Sequence, residues 1–151
     1  MKSRSWAHWI PLILTAIAIF MLSSSSNPYG LLPKPVYQWI YLTHIFNIRL
    51  TKIVGPLAHM CAFGLFAYFL IQALGYQHSN ARKTLVLAFI LTCLYALSDE
   101  FHQLFVPGRA FELLDIALDS LGGLAGVLLW HFTHQKDSSD TQVSLAVEAS
   151  P

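Results

Sequence analysis

Four apolar runs set the pattern of the chain. They cover residues 9–22, 53–74, 84–105 and 113–132, and polar stretches punctuate them. A bilayer needs about 20 apolar residues per helical crossing. The first run reaches that only with Trp6 to Trp9 and the serines after Leu22, so the predicted spans are about 6–24, 53–74, 84–105 and 113–132. A basic start (Lys2, Arg4) before an apolar core also resembles a signal peptide. No A-x-A-like site follows, however, and Trp6 and Trp9 suit an interface, so the run reads as a retained helix.

Between the first two spans, Pro28, Gly30, Pro33 and Pro35 break regular structure. Residues 36–50 then interleave Tyr37, Trp39, Tyr41 and Phe46 with Gln38, His44, Asn47 and Arg49. This predicts an aromatic segment at the interface, or a connection packed on the helices. Residues 75–83 form a polar turn, and Pro107-Gly108 a tight one. From Gln135 to Pro151 no period survives, which predicts a disordered tail. The architecture expected is an all-α membrane protein, four transmembrane helices in a compact bundle over residues 1–134.

Composition agrees with that reading. The chain is 55% hydrophobic and 11% charged, with a mean hydropathy of +0.52, whereas soluble domains are about a quarter charged. A formal net charge of +1 without a basic stripe gives no nucleic-acid footprint. Cys61 and Cys93 lie within apolar runs and read as small buried hydrophobes. Lys2, Arg4, Arg82, Lys83 and Lys136 fall on one side of a four-span topology, and Lys34, Arg49, Lys52 and Arg109 on the other. With Lys52 and Arg109 assigned to a polar site, the balance favours both termini in the cytoplasm of a cell with the protein in its inner membrane.

The stretch ALSDEFHQLFVPGRAFELLDIALDSLGGLAG, residues 96–126, holds five of the eight acids. Ionisable groups near lipid are costly, so they face a bundle interior or a cavity and mark a candidate functional site. Glu112, Asp115, Asp119, Gly122 and Gly126 share roughly 80° of the fourth helix at 100° per residue, and Gly122/Gly126 would admit another helix closely, from this chain or from a second copy. On the third helix Glu100 and Gln103 form one inward pair, Asp99 and His102 another. Lys52 and His59 share a face of the second helix with Phe63, Phe66 and Leu70. Arg109, beyond the Pro-Gly turn, is placed to give two parallel hydrogen bonds to Glu100 or Asp115.

Four readings fit these residues. A buried ion-pair network would fix helix packing, although it stabilises poorly relative to apolar contacts. Arg109, Lys52 and His59 would hold an anionic lipid headgroup, with Glu100 and Asp115 as candidate general bases and Gln103 and Asp119 as further ligands. Asp115, Asp119 and Glu100 would hold a divalent cation beside a lipid phosphate. Or Asp, Glu and His line a proton or solute path. Spacing does not separate them, and turnover stays undecided. No phosphate loop, HExxH or nucleophile elbow is present.

Ser98 to Arg109, reading SDEFHQLFVPGR, followed by Asp115, Asp119, Gly122 and Gly126, resembles the signature of the VanZ-like family of small membrane proteins. Lys52 and His59 and the serines after the first span are similar to the family's pattern as well. Asp119 stands where the family commonly has Asn, and Gly55-Pro56-Leu57-Ala58 lengthens the spacing from Lys52 to His59. The resemblance implies a four-helix protein of the cell envelope acting on a lipid or lipid-linked component. The family's namesake is linked to reduced teicoplanin susceptibility.

Overall fold

The computed structural model describes residues 6–75 and 81–148, with side chains as far as His134. Lys2 and Arg4, and residues 76–80 of the expected polar turn, lie outside the described residues. The elements are α1 (Trp9–Ser23), led in by a 3-10 turn at Trp6–His8, then α2 (Lys34–Leu42), a hairpin of β1 (His44–Ile45) and β2 (Ile48–Arg49), α3 (Thr51–Gly75), α4 (Ala81–Gln103) and α5 (Leu113–Glu148). Four helical stretches, 6–23, 51–75, 81–103 and 113–134, are long and apolar enough to cross a membrane. Helix is what such runs must form, because in lipid each backbone N–H and C=O has to find its partner within the segment.

Boundaries shift from the expected ones where polar residues still satisfy the helical ladder. Thr51 and Lys52 belong to α3, and Ala81 to Lys83 to α4. At its far end α4 stops at Gln103, two residues early, as the N–H groups of Phe105 and Val106 turn back to the His102 and Gln103 carbonyls. α5 continues to Glu148, through most of the segment in which the sequence shows no period, and residues 149–151 lie outside the described residues. No Gly or Pro occurs from Val127 to Ser150 to interrupt it.

α3 is the central helix and packs against α1, α4 and α5. Its seam with α5 is built on glycine. A Cβ at Gly122 would overlap the Met60 carbonyl, one at Gly126 the Gly64 carbonyl, and one at Gly64 would come within 3.0 Å of the Gly122 oxygen. Small residues thus let two backbones touch. That face of α5 packs on α3 within the chain. Phe63, Phe66, Ala67, Leu70, Ile71, Ala88 and Ala96 complete the core, and Tyr95 stacks on Phe66 with ring centroids 4.7 Å apart. Ile13, Leu14, Leu65, Ile90, Leu94 and Phe132 face outward, a surface suited to lipid rather than water.

The aromatic segment between α1 and α3 is more ordered than its sequence suggests. A 3-10 turn at Pro28–Leu31 leads to α2, whose Pro35 needs no donor in the first turn. The hairpin pairs His44 with Arg49 and Ile45 with Ile48. Phe46 (φ 49°) and Asn47 (φ 64°) both take left-handed conformations, as a two-residue hairpin loop demands. Arg49 lies over the Tyr41 ring, 5.4 Å from its centroid. Trp39, Leu42 and Phe46 are exposed, Phe46 by 95%.

Candidate functional site

Four chain segments meet at one end of the bundle: the end of α1, the start of α3, the end of α4 and the start of α5. The polar residues of the motif gather there. Each of three consecutive serines at the end of α1 serves one of them. Ser23 Oγ donates to Asp99 Oδ2 at 2.7 Å, Ser24 Oγ lies 3.0 Å from His102 Nε2, and the Ser25 carbonyl accepts from Arg109 Nε at 3.2 Å. In the sequence these serines stand as the margin of a span and as part of the family resemblance, with no partner assigned to them. A run of small hydroxyl residues where a helix must end is the signal that points to them.

Asp99, Glu100, Gln103 and Asp119 are buried, so each side chain must be matched internally or left unmatched. Gln103 Nε2 donates to Asp99 Oδ2 at 3.2 Å, the i,i+4 geometry of one helix face. Glu100 and Gln103 both face inward as expected, but Gln103 bonds Asp99 and not Glu100. Asp99 is tied to α1 through Ser23, and His102 sits against Ser24 and the Phe20 ring, 4.7 Å between centroids. Glu100 turns the other way. Its Oε2 accepts the Glu112 N–H at 2.9 Å, and the Glu112 carbonyl in turn takes the Asp115 N–H. A carboxylate thus sits on an N–H at the positive end of α5, where a negative charge is stabilised. Its other oxygen, Oε1, is buried with no hydrogen-bond partner among the described residues.

Arg109 also departs from expectation. Val106-Pro107-Gly108-Arg109 forms a type II turn, with Gly108 at φ 81° and the Arg109 N–H on the Val106 carbonyl at 3.1 Å. This delivers the guanidinium to a neutral acceptor, the Ser25 carbonyl, rather than to Glu100 or Asp115. Nη2 is buried and has no partner among the described residues. Tyr29, which the sequence reading did not single out, lies within its field. Its hydroxyl donates to the Thr51 carbonyl at 2.7 Å, and a Cβ at Gly55 would come within 2.7 Å of that oxygen. Burial raises the Tyr29 phenol above its ordinary pKa, and the Arg109 charge opposes this.

The third group spans three helices. His59 Nδ1 of α3 lies 3.6 Å from Asp119 Oδ2 of α5, and donor atoms of His59, Asp99 and Asp119 all fall within 4.8 Å of one another. Both Asp119 oxygens are buried with no hydrogen-bond partner among the described residues. The expected cation ligands Asp115, Asp119 and Glu100 are arranged differently. Asp115 is only half-buried, four residues before Asp119 on α5, and Glu100 is engaged with the start of α5. Lys52 is exposed and makes no ion pair among the described residues, although His59, Phe63 and Leu70 of its predicted face do turn inward. Pro56, inside the first turns of α3, leaves the Lys52 carbonyl without its helical donor.

A sequence model of the VanZ/LLP1 family matches residues 9–134, which takes in α1, α3, α4, α5 as far as His134 and every residue of the polar end. No curated protein and no solved structure matches the chain.

Proposed function

We propose, for a chain that belongs to the VanZ/LLP1 family and is built as a multi-pass membrane protein, that the polar end of the bundle binds the anionic headgroup of a lipid or lipid-linked envelope intermediate. The observation that carries this is the state of Arg109. A guanidinium whose task was structural would take the nearest buried carboxylate, and three carboxylates are buried at the same end. Instead its Nε meets a neutral carbonyl and its Nη2 meets nothing among the described residues. A buried donor left unmatched costs about 1–3 kcal/mol, more when charged. A phosphate or carboxylate oxygen from a ligand would recover that cost through a planar, two-point contact.

Other features support the same reading. Lys52, exposed in the first turn of α3, offers a second cation. β2 packs against α3, and the exposed Trp39, Leu42 and Phe46 of the neighbouring α2 and hairpin suit the depth of lipid headgroups. The Lys and Arg balance puts both termini in the cytoplasm, so this end faces the outer side of the inner membrane. There, occupancy by an envelope lipid would connect to glycopeptide susceptibility in settings where that lipid is the drug's target.

The test is lipid retention. Native mass spectrometry of protein released gently from membranes is expected to show bound anionic phospholipid on the wild type. Arg109→Lys, which replaces the fork by a point charge, should bind phosphatidylglycerol about tenfold more weakly or worse, given about 1.5–3 kcal/mol for a charge-assisted hydrogen bond, while inserting normally. Equal retention by the two proteins would rule out a bidentate headgroup contact.

A further inference from the structure

We infer that His59, Asp99 and Asp119 form a binding site for one divalent transition-metal cation, of the zinc or manganese class, that ties α3, α4 and α5 together. The three donors come from three different helices and lie within 4.8 Å of one another. Metal–ligand distances of about 2.0–2.2 Å place two ligands of one ion about 3–4 Å apart. The 3.6 Å between His59 Nδ1 and Asp119 Oδ2 falls in that interval and is too long for a hydrogen bond.

A second observation, beyond the spacing of the donors, also points to a ligand. Asp119 is fully buried, and neither of its oxygens has a hydrogen-bond partner among the described residues. A bare buried carboxylate is costly in any interior. Its neighbour Asp99 is 4% exposed and is oriented by Ser23 and Gln103, which leaves lone pairs for a further partner. Hydrogen-bonded outer groups that fix a ligating carboxylate are the usual support of a metal site. Two carboxylates balance a doubly charged ion, and the Arg109 guanidinium donates through Nε to the Ser25 carbonyl and not to either of them. Oxygen-only ions such as Mg²⁺ and Ca²⁺ do not select imidazole, whereas zinc and manganese accept it alongside carboxylates. Three protein donors also leave coordination positions open. The competing arrangement is an imidazolium–carboxylate pair between His59 and Asp119 with no ion.

The inference concerns the same end of the bundle as the headgroup reading, but it is read out by metal content and not through lipid. Protein carrying a histidine-free tag would be stripped with chelator and then titrated with Zn²⁺, Mn²⁺ or Co²⁺ alone. Wild type should retain one equivalent of at least one of these ions through gel filtration. The ion should raise its unfolding temperature in detergent, and bound Co²⁺ should show d–d absorption. Asp119→Asn and His59→Gln should lose the stoichiometric ion. Ser23→Ala, which keeps all three donors, should bind it about 10–100-fold more weakly, and His44→Gln, an exposed imidazole in the hairpin, should bind as wild type does. Wild type that retains none of the three ions overturns the inference, and so does undiminished binding in Asp119→Asn or His59→Gln. Should those two variants fail to purify, unweakened binding in Ser23→Ala overturns it equally.

Discussion

α3 and α5 meet in two adjoining places that obey opposite rules. From Met60 to Gly64 they press backbone on backbone against Gly122 and Gly126, with nothing left over. One residue earlier on α3 and one turn earlier on α5, His59 and Asp119 face each other 3.6 Å apart with polar atoms unmatched. The contrast explains how the second arrangement survives. A glycine seam fixes the helices' separation to within a fraction of an ångström, because neither backbone can yield. The polar residues next to it are held in place by that seam and not by their own bonds. Groups positioned by rigid neighbours can stay unsatisfied, and such groups are available to a ligand.

Breaking the seam should have the largest effect. Gly126→Leu drives a side chain into the Gly64 carbonyl, and the neighbour is backbone, which cannot rotate away. The cost should exceed the about 1–3 kcal/mol of ordinary overpacking. Gel filtration in mild detergent should recover little or no monodisperse protein. A variant that purifies with the wild-type unfolding temperature would show that α3 and α5 are free to separate, and would remove the basis for a pre-set polar end.

The next effect belongs to the polar end itself. Ser23→Ala removes the 2.7 Å donor to a buried carboxylate and leaves the Gln103 amide on the same oxygen. A loss of about 1.5–3 kcal/mol is expected from one hydrogen bond to a charged group, seen as a lower unfolding temperature with the bundle still assembled. No loss would mean that Asp99 is satisfied without α1. The serine and the aspartate would then merely be neighbours.

Which group Ser23 serves could not be read from the chain alone. Periodicity and turn chemistry made the four spans, the Pro107-Gly108 turn and the shared face of Asp119, Gly122 and Gly126 legible, because each follows from local spacing. Partners did not follow. A helical wheel puts Asp99 and Gln103 one turn apart, yet whether Asp99 then meets His102 or a serine 76 positions away is decided by how α1 crosses α4. Arg109 was assigned to a carboxylate because charge is visible in a sequence, whereas its actual acceptor, a backbone carbonyl, has no residue identity. The hairpin escaped for a related reason: Phe46 at positive φ is not a turn residue by composition. His59, Asp99 and Asp119 each stand out in the sequence as polar residues in apolar runs, but only the meeting of three helices brings them together.

The smallest effect sharpens the comparison within α5. Gly123 lies beside Gly122 but faces α4, and a Cβ there would come within 2.7 Å of the Thr92 methyl rather than of any backbone atom. Alanine is favoured over glycine in a helix by about 0.5–1 kcal/mol. Against this, Thr92 is fully buried with its Oγ1 on the Ala88 carbonyl at 2.8 Å, so turning its methyl aside disturbs that bond. The two terms are similar in size, and Gly123→Ala should shift stability by no more than about 1 kcal/mol either way. In a Thr92→Ala background the obstacle is gone and the same change should stabilise. If Gly123→Ala instead proved as damaging as Gly126→Leu, α4 would be seated on α5 as closely as α3 is. Asp99 would then be fixed by its helix and not by Ser23, and the rigid seam would extend across all three helices that carry the donors.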